Sequence, residues 1–589
     1  MPRPVALLVP LLLLGLLAPG ATTPAAHAED APGGEAAPAA TSDDAAYLPL
    51  EAIKPGMRGH GLTVRRGTTL EPFEVEVIDI ARNWLTKQDL ILVRCLGEEF
   101  ADHQIAQGMS GSPIWFEGRL AGALSYTFAW AKHAVGGVTP IHDMLAEGQR
   151  VEEGRPSGAL PPTPLHAPES DRAGAPFRPI GTPLALGGFS DAGRALVASE
   201  MRALGFHVVA APGGGAPAGA LEAPVVPGAA ITVDILRGDF SASAMGTITA
   251  VDGDKVYAFG HSFETLGETL FPSSVGYVYM VVASREISFK LGGPLREIGA
   301  LVQDRPSCIV VDRTRKAPMV PVHVVFRNRV TKREEAFDFE VTPNTIFFQP
   351  MLQSALREAF TKAEGGIGPN TKRVRMTVKL KGLDAWTYED SVGGFDGGYQ
   401  RMLMHLVDRP LTHARQRPEF ERFDVEIDVE HTDRRAWIRS VVASRDEVRP
   451  GETVQLSVVL EPQELGPLRT ERLEIVVPDD APEGNYVVNV IGGDNAPTDA
   501  PAPRDIRDLP GLYETFHKTT ELCAVLPRAQ VDVDLDGHML RRLPLSSLPR
   551  LVRSPDAPLL GVRDTFSLVK REVGYLIAGG ERVTLRVVR

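Results

Sequence analysis

Gln107-Gly108-Met109-Ser110-Gly111-Ser112-Pro113 holds the residues of this sequence best suited to chemistry. A serine that attacks a carbonyl must hold a tetrahedral oxyanion, and two amides can do so: its own backbone N–H and that of a preceding glycine. Ser110 with Gly108 supplies that pair, and the small residues around them permit the tight turn it needs. The G-x-S-x-G elbow is not met, because Ser112 stands where its last glycine would be and a strand follows instead of a helix. A nucleophilic serine also needs a base, normally histidine. Of the 14 histidines, His261 closes Tyr257-Ala258-Phe259-Gly260-His261, an apolar strand stopping at a glycine. His60, between Gly59 and Gly61, reads as a turn residue and a rival base, and His103 is close to Ser110 along the chain. A Gly/Ser-rich loop without chemistry and a histidine satisfied in a loop are the plainer readings of both segments. No H-E-x-x-H and no clustered ligands appear, so neither a metal nor another cofactor is expected.

The elements that must position these residues are mostly strands. Phe73 to Ile78 alternates apolar and acidic residues with period two, Leu90 to Val93 reads as a buried strand, and Ile114 to Ala123 reads as a hairpin. After a Pro/Gly/Ala-rich linker at 155–175, Ser190 can cap a helix from Asp191 to Leu204. Strands resume at Ala230, with Asp252-Gly253-Asp254 as a hairpin turn. Met351 to Ala363 reads as an amphipathic helix with Leu352, Ala355, Leu356, Ala359 and Phe360 on one stripe. Phe423, Val425, Ile427 and Val429, then Val454, Leu456, Val458 and Leu460, alternate with polar residues. With the turn before Tyr486 they predict an immunoglobulin-like sandwich over 420–494.

The expected organisation is therefore mainly β. An export signal (1–28) precedes a flexible lead-in (29–45), a Ser-bearing half (46–154) and a linker with helix (155–224). A His-bearing half (225–348) follows, then a helix with a connecting β segment (349–419), the sandwich (420–494) and a small C-terminal β-leaning domain (504–589). Arg3, the apolar run Val5 to Leu17 and Ala26-His27-Ala28 fit a cleaved signal ending near Ala28, so the mature chain is expected outside the cytoplasm with no transmembrane span. A net charge of −13 argues against a nucleic-acid partner. Cys95, Cys308 and Cys523 stand far apart without CxxC spacing, which excludes a disulfide framework, and Cys95 reads as a small buried residue.

Gly108-Met109-Ser110-Gly111-Ser112-Pro113 followed by strand, turn and strand fits the chymotrypsin-like pattern. Together with Phe73 to Ile78 and Gly246 to His261 it resembles the SpoIVB peptidase family, exported serine peptidases, over about 47–150 and 225–345. The resemblance implies a two-barrel chymotrypsin-like peptidase domain that cleaves a protein or peptide substrate. Ser110 would be the nucleophile, His261 the general base, and the N–H groups of Gly108 and Ser110 the oxyanion donors. Two departures stand out. In the sporulation peptidases the His segment precedes the Ser segment and a PDZ domain stands in front, so the two halves here would be permuted and in need of one continuous core. The family's catalytic Asp falls near Cys95 or Leu96, where no carboxylate stands. Asp304, 43 residues after His261, is the expected substitute, with Asp102 or Glu98 as alternatives. A backbone carbonyl or an Asn could also orient the histidine. The competing reading is an inactive descendant that keeps the fold as an envelope binding or scaffold module.

Overall fold

The computed structural model describes residues 46–589 apart from 86–87, 129–130, 153–176, 213–217, 330, 365–369, 394–406, 408–417, 465, 499–504, 536–537 and 545–560. The expected export signal, lead-in and 155–175 linker lie outside the described residues. Among those described, no helix is long and apolar enough to cross a membrane.

The N-terminal part runs β1 (Arg58–Val64), β2 (Leu70–Leu85), β3 (Gln88–Leu96), a short α1 (Glu99–His103), β4 (Ser112–Phe116), β5 (Arg119–Thr127), β6 (Val135–Pro140) and α2 (Ile141–Glu152). Its strands pair in the order β4-β1-β2-β3-β6-β5, and β4 also pairs with β5, closing a six-stranded barrel. Phe73, Val75 and Val77 of β2 point inward as their alternation demands. Ile78 points outward in the same alternation, and a bulge between Val77 and Asp79 breaks the two-residue period beyond it.

β7 (Arg178–Pro179), β8 (Pro183–Gly187), α3 (Asp191–Met201), β9 (His207–Ala210), β10 (Ala230–Gly238), β11 (Ser241–Asp252) and β12 (Lys255–Ala258) come next. β13 (Gly267–Val282), β14 (Phe289–Arg305), β15 (Cys308–Asp312), β16 (Val320–Asn328) and β17 (Arg333–Val341) continue the chain. Pairings β10-β13-β14-β15-β12-β11 return on themselves through β10–β11, making a second closed circuit. Ser190 caps α3 by accepting from the Gly193 N–H, as expected. The stretch read as linker and helix is more than a connector, since β8 adds to β11 and β9 to β8. After α4 (Phe348–Glu364), β18 (Thr371–Leu380), β19 (Trp386–Gly393) and β20 (Phe420–Glu430) extend the same sheet, and the predicted apolar stripe of α4 is buried.

Two boundaries differ from expectation. β20 pairs in parallel with β16 and antiparallel with β18, so Phe423, Val425 and Ile427 are buried in the core shared with α4 instead of in the sandwich. The sandwich proper begins near Arg435. Thr453–Pro462 and Gly484–Gly492 lie in its two sheets, and the C-terminal strands Glu521–Leu535, Leu576–Ala578 and Gly580–Val587 are woven into both. Leu456, Val458 and Tyr486 share one core with Leu522, Ile577 and Leu585, so the C-terminal segment is not a separate domain.

The Ser-bearing and His-bearing halves do not share the single continuous core expected of them, since their main apolar clusters are separate. A closed ring buries its own interior, which leaves only outer faces to meet. Leu120, Ala123, Ile141 and Met144 of the first half form a distinct cluster with Ala250, Tyr257, Val302 and Val310 of the second. Val64 meets Ala230, Met245 and Val278 in another. These contacts bring the Ser110 turn against β11.

Candidate active site

The turn that carries Ser110 is built from glycines in left-handed conformation. Gly108 has φ +88° and Gly111 φ +94°, which residues with a side chain rarely adopt. Ser112 fixes the turn by donating its hydroxyl to the Met109 carbonyl at 2.7 Å, and the Gly111 N–H donates to the Leu124 carbonyl at 2.8 Å. From the second barrel, Thr247 of β11 donates its N–H to the Ser110 carbonyl and its hydroxyl to the Gly108 carbonyl. Ser110 is fully buried, and its Oγ makes no hydrogen bond. Among the described residues its N–H has no acceptor either.

A second tight turn aims His261. Phe259 adopts φ +72°, a strained value for a bulky residue, and the Gly260 N–H closes a three-residue turn onto the Ala258 carbonyl at 2.9 Å. The strain is held from both barrels: the Phe259 N–H donates to the Thr247 carbonyl, and the Gly260 carbonyl accepts from the Thr139 hydroxyl at 2.6 Å. Thr247 thus binds both the Ser110 and the Phe259 segments. Such strain recurs where geometry serves chemistry.

The His261 ring is buried, with Nδ1 2.7 Å from the Ser262 carbonyl and Nε2 without a hydrogen bond. Burial pulls its pKa below the ordinary value, opposed by the backbone carbonyls of Ser262 and Ile180 that face the ring. A neutral imidazole with Nδ1–H held by a carbonyl presents a bare Nε2, the form a general base requires. Since Ser110 Oγ and His261 Nε2 each lack a partner, the two are not hydrogen-bonded to one another.

Asp304 does not orient this ring. Its buried carboxylate accepts the N–H groups of Phe263 at 2.6 Å and of Glu264 and Leu266 at 2.8 and 2.9 Å, pinning the loop that follows His261. The 43-residue spacing brings it near, but the strand register of β13 and β14 delivers it to the loop backbone. Burial pushes its pKa up to about 6 against the pull of those three donors. Burial, then the charge of Asp304, pushes Glu264 up to about 8. Asp102 and Glu98 are exposed, whereas Ser110 and His261 are buried.

The other histidines take structural places. His60 lies within β1 instead of a turn, stacked on Trp115 with ring centroids 5.3 Å apart. Its glycine neighbours are there because a Cβ at Gly59 would strike the Trp115 carbonyl and one at Gly61 the Phe73 ring. His103 ends α1, packed edge-on against Phe100, with Nδ1 2.7 Å from the Gln104 carbonyl. Cys95 is a buried wall residue whose thiol burial pushes far up.

No family model, curated protein or solved structure matches the chain.

Sequence reasoning missed Lys290. Fully buried on β14, it donates its Nζ to Thr63 Oγ1 at 2.8 Å and Thr247 Oγ1 at 3.0 Å, while its stem lies against Gly108. Its backbone N–H donates to the Gln107 carbonyl. Lys290 therefore braces the Ser110 turn from both main chain and side chain. Burial, reinforced by nearby Arg65 and opposed by Glu71, brings its pKa down to about 7. Among the described residues no group of three His, Cys, Asp or Glu could hold a metal ion.

Gly111 gives a direct test of how closely the barrels meet. A Cβ there would collide with the Thr247 carbonyl and the Phe259 backbone, so Gly111→Ala is expected to destabilise by about 2 kcal/mol or more and to displace both turns. Gly118→Ala, at φ +76° with open space around it, measures the conformational cost alone and should stay near 1 kcal/mol. Equal losses in urea melts would mean that the contact contributes nothing.

Proposed function

We propose that the chain is an exported serine endopeptidase, of the two-barrel chymotrypsin-like kind that the SpoIVB resemblance implies. The observation that carries this reading is the buried serine with a bare Oγ and unclaimed N–H, held on one turn by the same Thr247 that fixes the strained turn before His261. In the proposed reaction Ser110 Oγ forms a bond to the peptide carbonyl carbon as His261 Nε2 takes its proton. The oxyanion lies against the N–H groups of Ser110 and Gly108. His261 then gives the proton to the departing amine, and water repeats the sequence to release the acyl group. The Ser262 carbonyl takes the orienting place of a carboxylate on Nδ1.

The reading as an inactive binding module has one observation in its favour, the missing carboxylate at His261. A fluorophosphonate probe separates the two, because it forms a stable bond only with an activated serine. Labelling of the wild type, abolished in Ser110→Ala and reduced at least 100-fold in His261→Ala, is the expected result. Silence of a folded wild type over hours and across pH 6 to 9 would leave the binding module as the better description.

A further inference from the structure

Pairing of β4 with β5 ends at Ser112↔Leu124, and β6 covers only the opposite edge of β5 beyond that point. Residues 125–127 thus offer one strand edge beside the nucleophile turn. That edge is taken by the chain's own β7, antiparallel, with Tyr126 opposite Pro179 and Thr127 opposite Arg178. The Ile180 N–H donates to the Ser125 carbonyl at 2.8 Å. The Gly181 carbonyl then accepts the Gly108 N–H at 3.3 Å, so one of the two oxyanion donors is already engaged. The Ile180 side chain is fully buried in the first barrel's apolar cluster, with Met109, Ile114 and Leu124.

We infer that Arg178–Gly181 is a substrate-like strand of the chain itself, seated in a peptide-binding cleft that takes an extended segment with an aliphatic residue at the place of Ile180. The inference rests on the peptidase reading for its meaning, though its test does not. Strand addition supplies main-chain affinity that any extended peptide can match, and the buried pocket supplies the side-chain preference. Ile180 fits because its contacts are hydrocarbon, where a charged residue would be desolvated without a partner. The seat is also unreactive. The one amide of the Ser110 turn that this strand claims, Gly108 N–H, goes to the Gly181 carbonyl and not to that of Ile180. A competing peptide must displace a segment tethered at high effective concentration, so the cleft is self-occluded until that strand leaves.

The experiment is run on the full chain carrying Ser110→Ala, so that binding is read without chemistry. A fluorescent peptide copying residues 176–182 should bind the Ile180→Ala variant at least ten-fold more tightly than the chain with Ile180 intact. The same peptide with Asp in place of its Ile should not bind either. With Ser110 restored, Ile180→Ala should raise the rate of fluorophosphonate labelling at least ten-fold. Should Ile180→Ala fail to keep the wild-type circular dichroism, Ile180→Val gives a smaller gain of the same sign. Variants that fold, lose stability and gain no peptide affinity would overturn the inference, making Ile180 a core residue alone. Gained peptide binding with no labelling in any variant would uphold the cleft and defeat the peptidase reading instead.

Discussion

Asp304→Ala is expected to cost about 3 to 6 kcal/mol and to release the loop that follows His261. Three backbone N–H groups converge on this buried carboxylate, at 2.6, 2.8 and 2.9 Å. A buried donor left without an acceptor costs roughly 1–3 kcal/mol, and water entering the vacated space offsets only part of that. Asp304→Asn should cost less, because its amide oxygen still serves one side while its NH2 opposes donors on the other. The same pair of variants decides what Asp304 does. An acid that held the His261 tautomer would lose about 10⁴ in rate as Asn with the fold unchanged. A residue that holds the loop should instead lose labelling of Ser110 in step with stability, and urea should deepen both losses. Urea melts and fluorophosphonate labelling on the same samples provide the check. A 10⁴-fold loss in Asp304→Asn at wild-type stability would return the carboxylate to the triad.

Asp304 shows what spacing can and cannot carry. A distance along the chain brings a residue to a neighbourhood, but strand register decides which group it meets, and register shifts four times along β13 and β14. The Ser110 turn was legible because its demands are local: glycines where φ is positive, and a small residue between them. His261 was legible as a strand end, although nothing in the sequence marks the strained conformation of Phe259 before it. Alternation in Phe423 to Val429 correctly implied a half-buried strand, yet period two says nothing about which sheet supplies the cover. The C-terminal strands were misplaced for the same reason, since pairing partners some 100 residues away leave no local trace. Ile180 lay just past a stretch that composition marks as linker, and linker composition hid a segment that seats itself in the cleft.

Lys290 was missed because a lysine in an alternating strand reads as an outward residue, and here it is the inward one. Its surroundings explain how it is tolerated. Two threonine hydroxyls face Nζ as acceptors, and the charges that act on it, Arg65 and Glu71, are paired with each other at 3.2 Å. A neutral amine has two N–H donors for those two hydroxyls, so the pocket fits the uncharged form. The folded pKa of about 7 lies below the ordinary lysine value of about 10.5, and between them the unfolded chain binds more protons. Stability from this group therefore rises with pH from about 7 towards 10.5, while below 7 its full cost remains. From pH 6.5 to 9 the gain should be roughly 3 kcal/mol, at ~1.36 kcal/mol per unit. Lys290→Met, of similar length and without charge, should lose that gain and be the more stable protein at pH 6. Urea melts of both proteins at pH 6, 7.5 and 9 isolate the effect, because His261 and Glu264 titrate in each and cancel in the difference. Parallel curves would show that the amine remains charged in the core and that its role beneath Gly108 is electrostatic. A difference that opens above pH 7 would place the neutral lysine and the neutral His261 in the same pH range, with the Ser110 turn most firmly braced where its base is free to accept a proton.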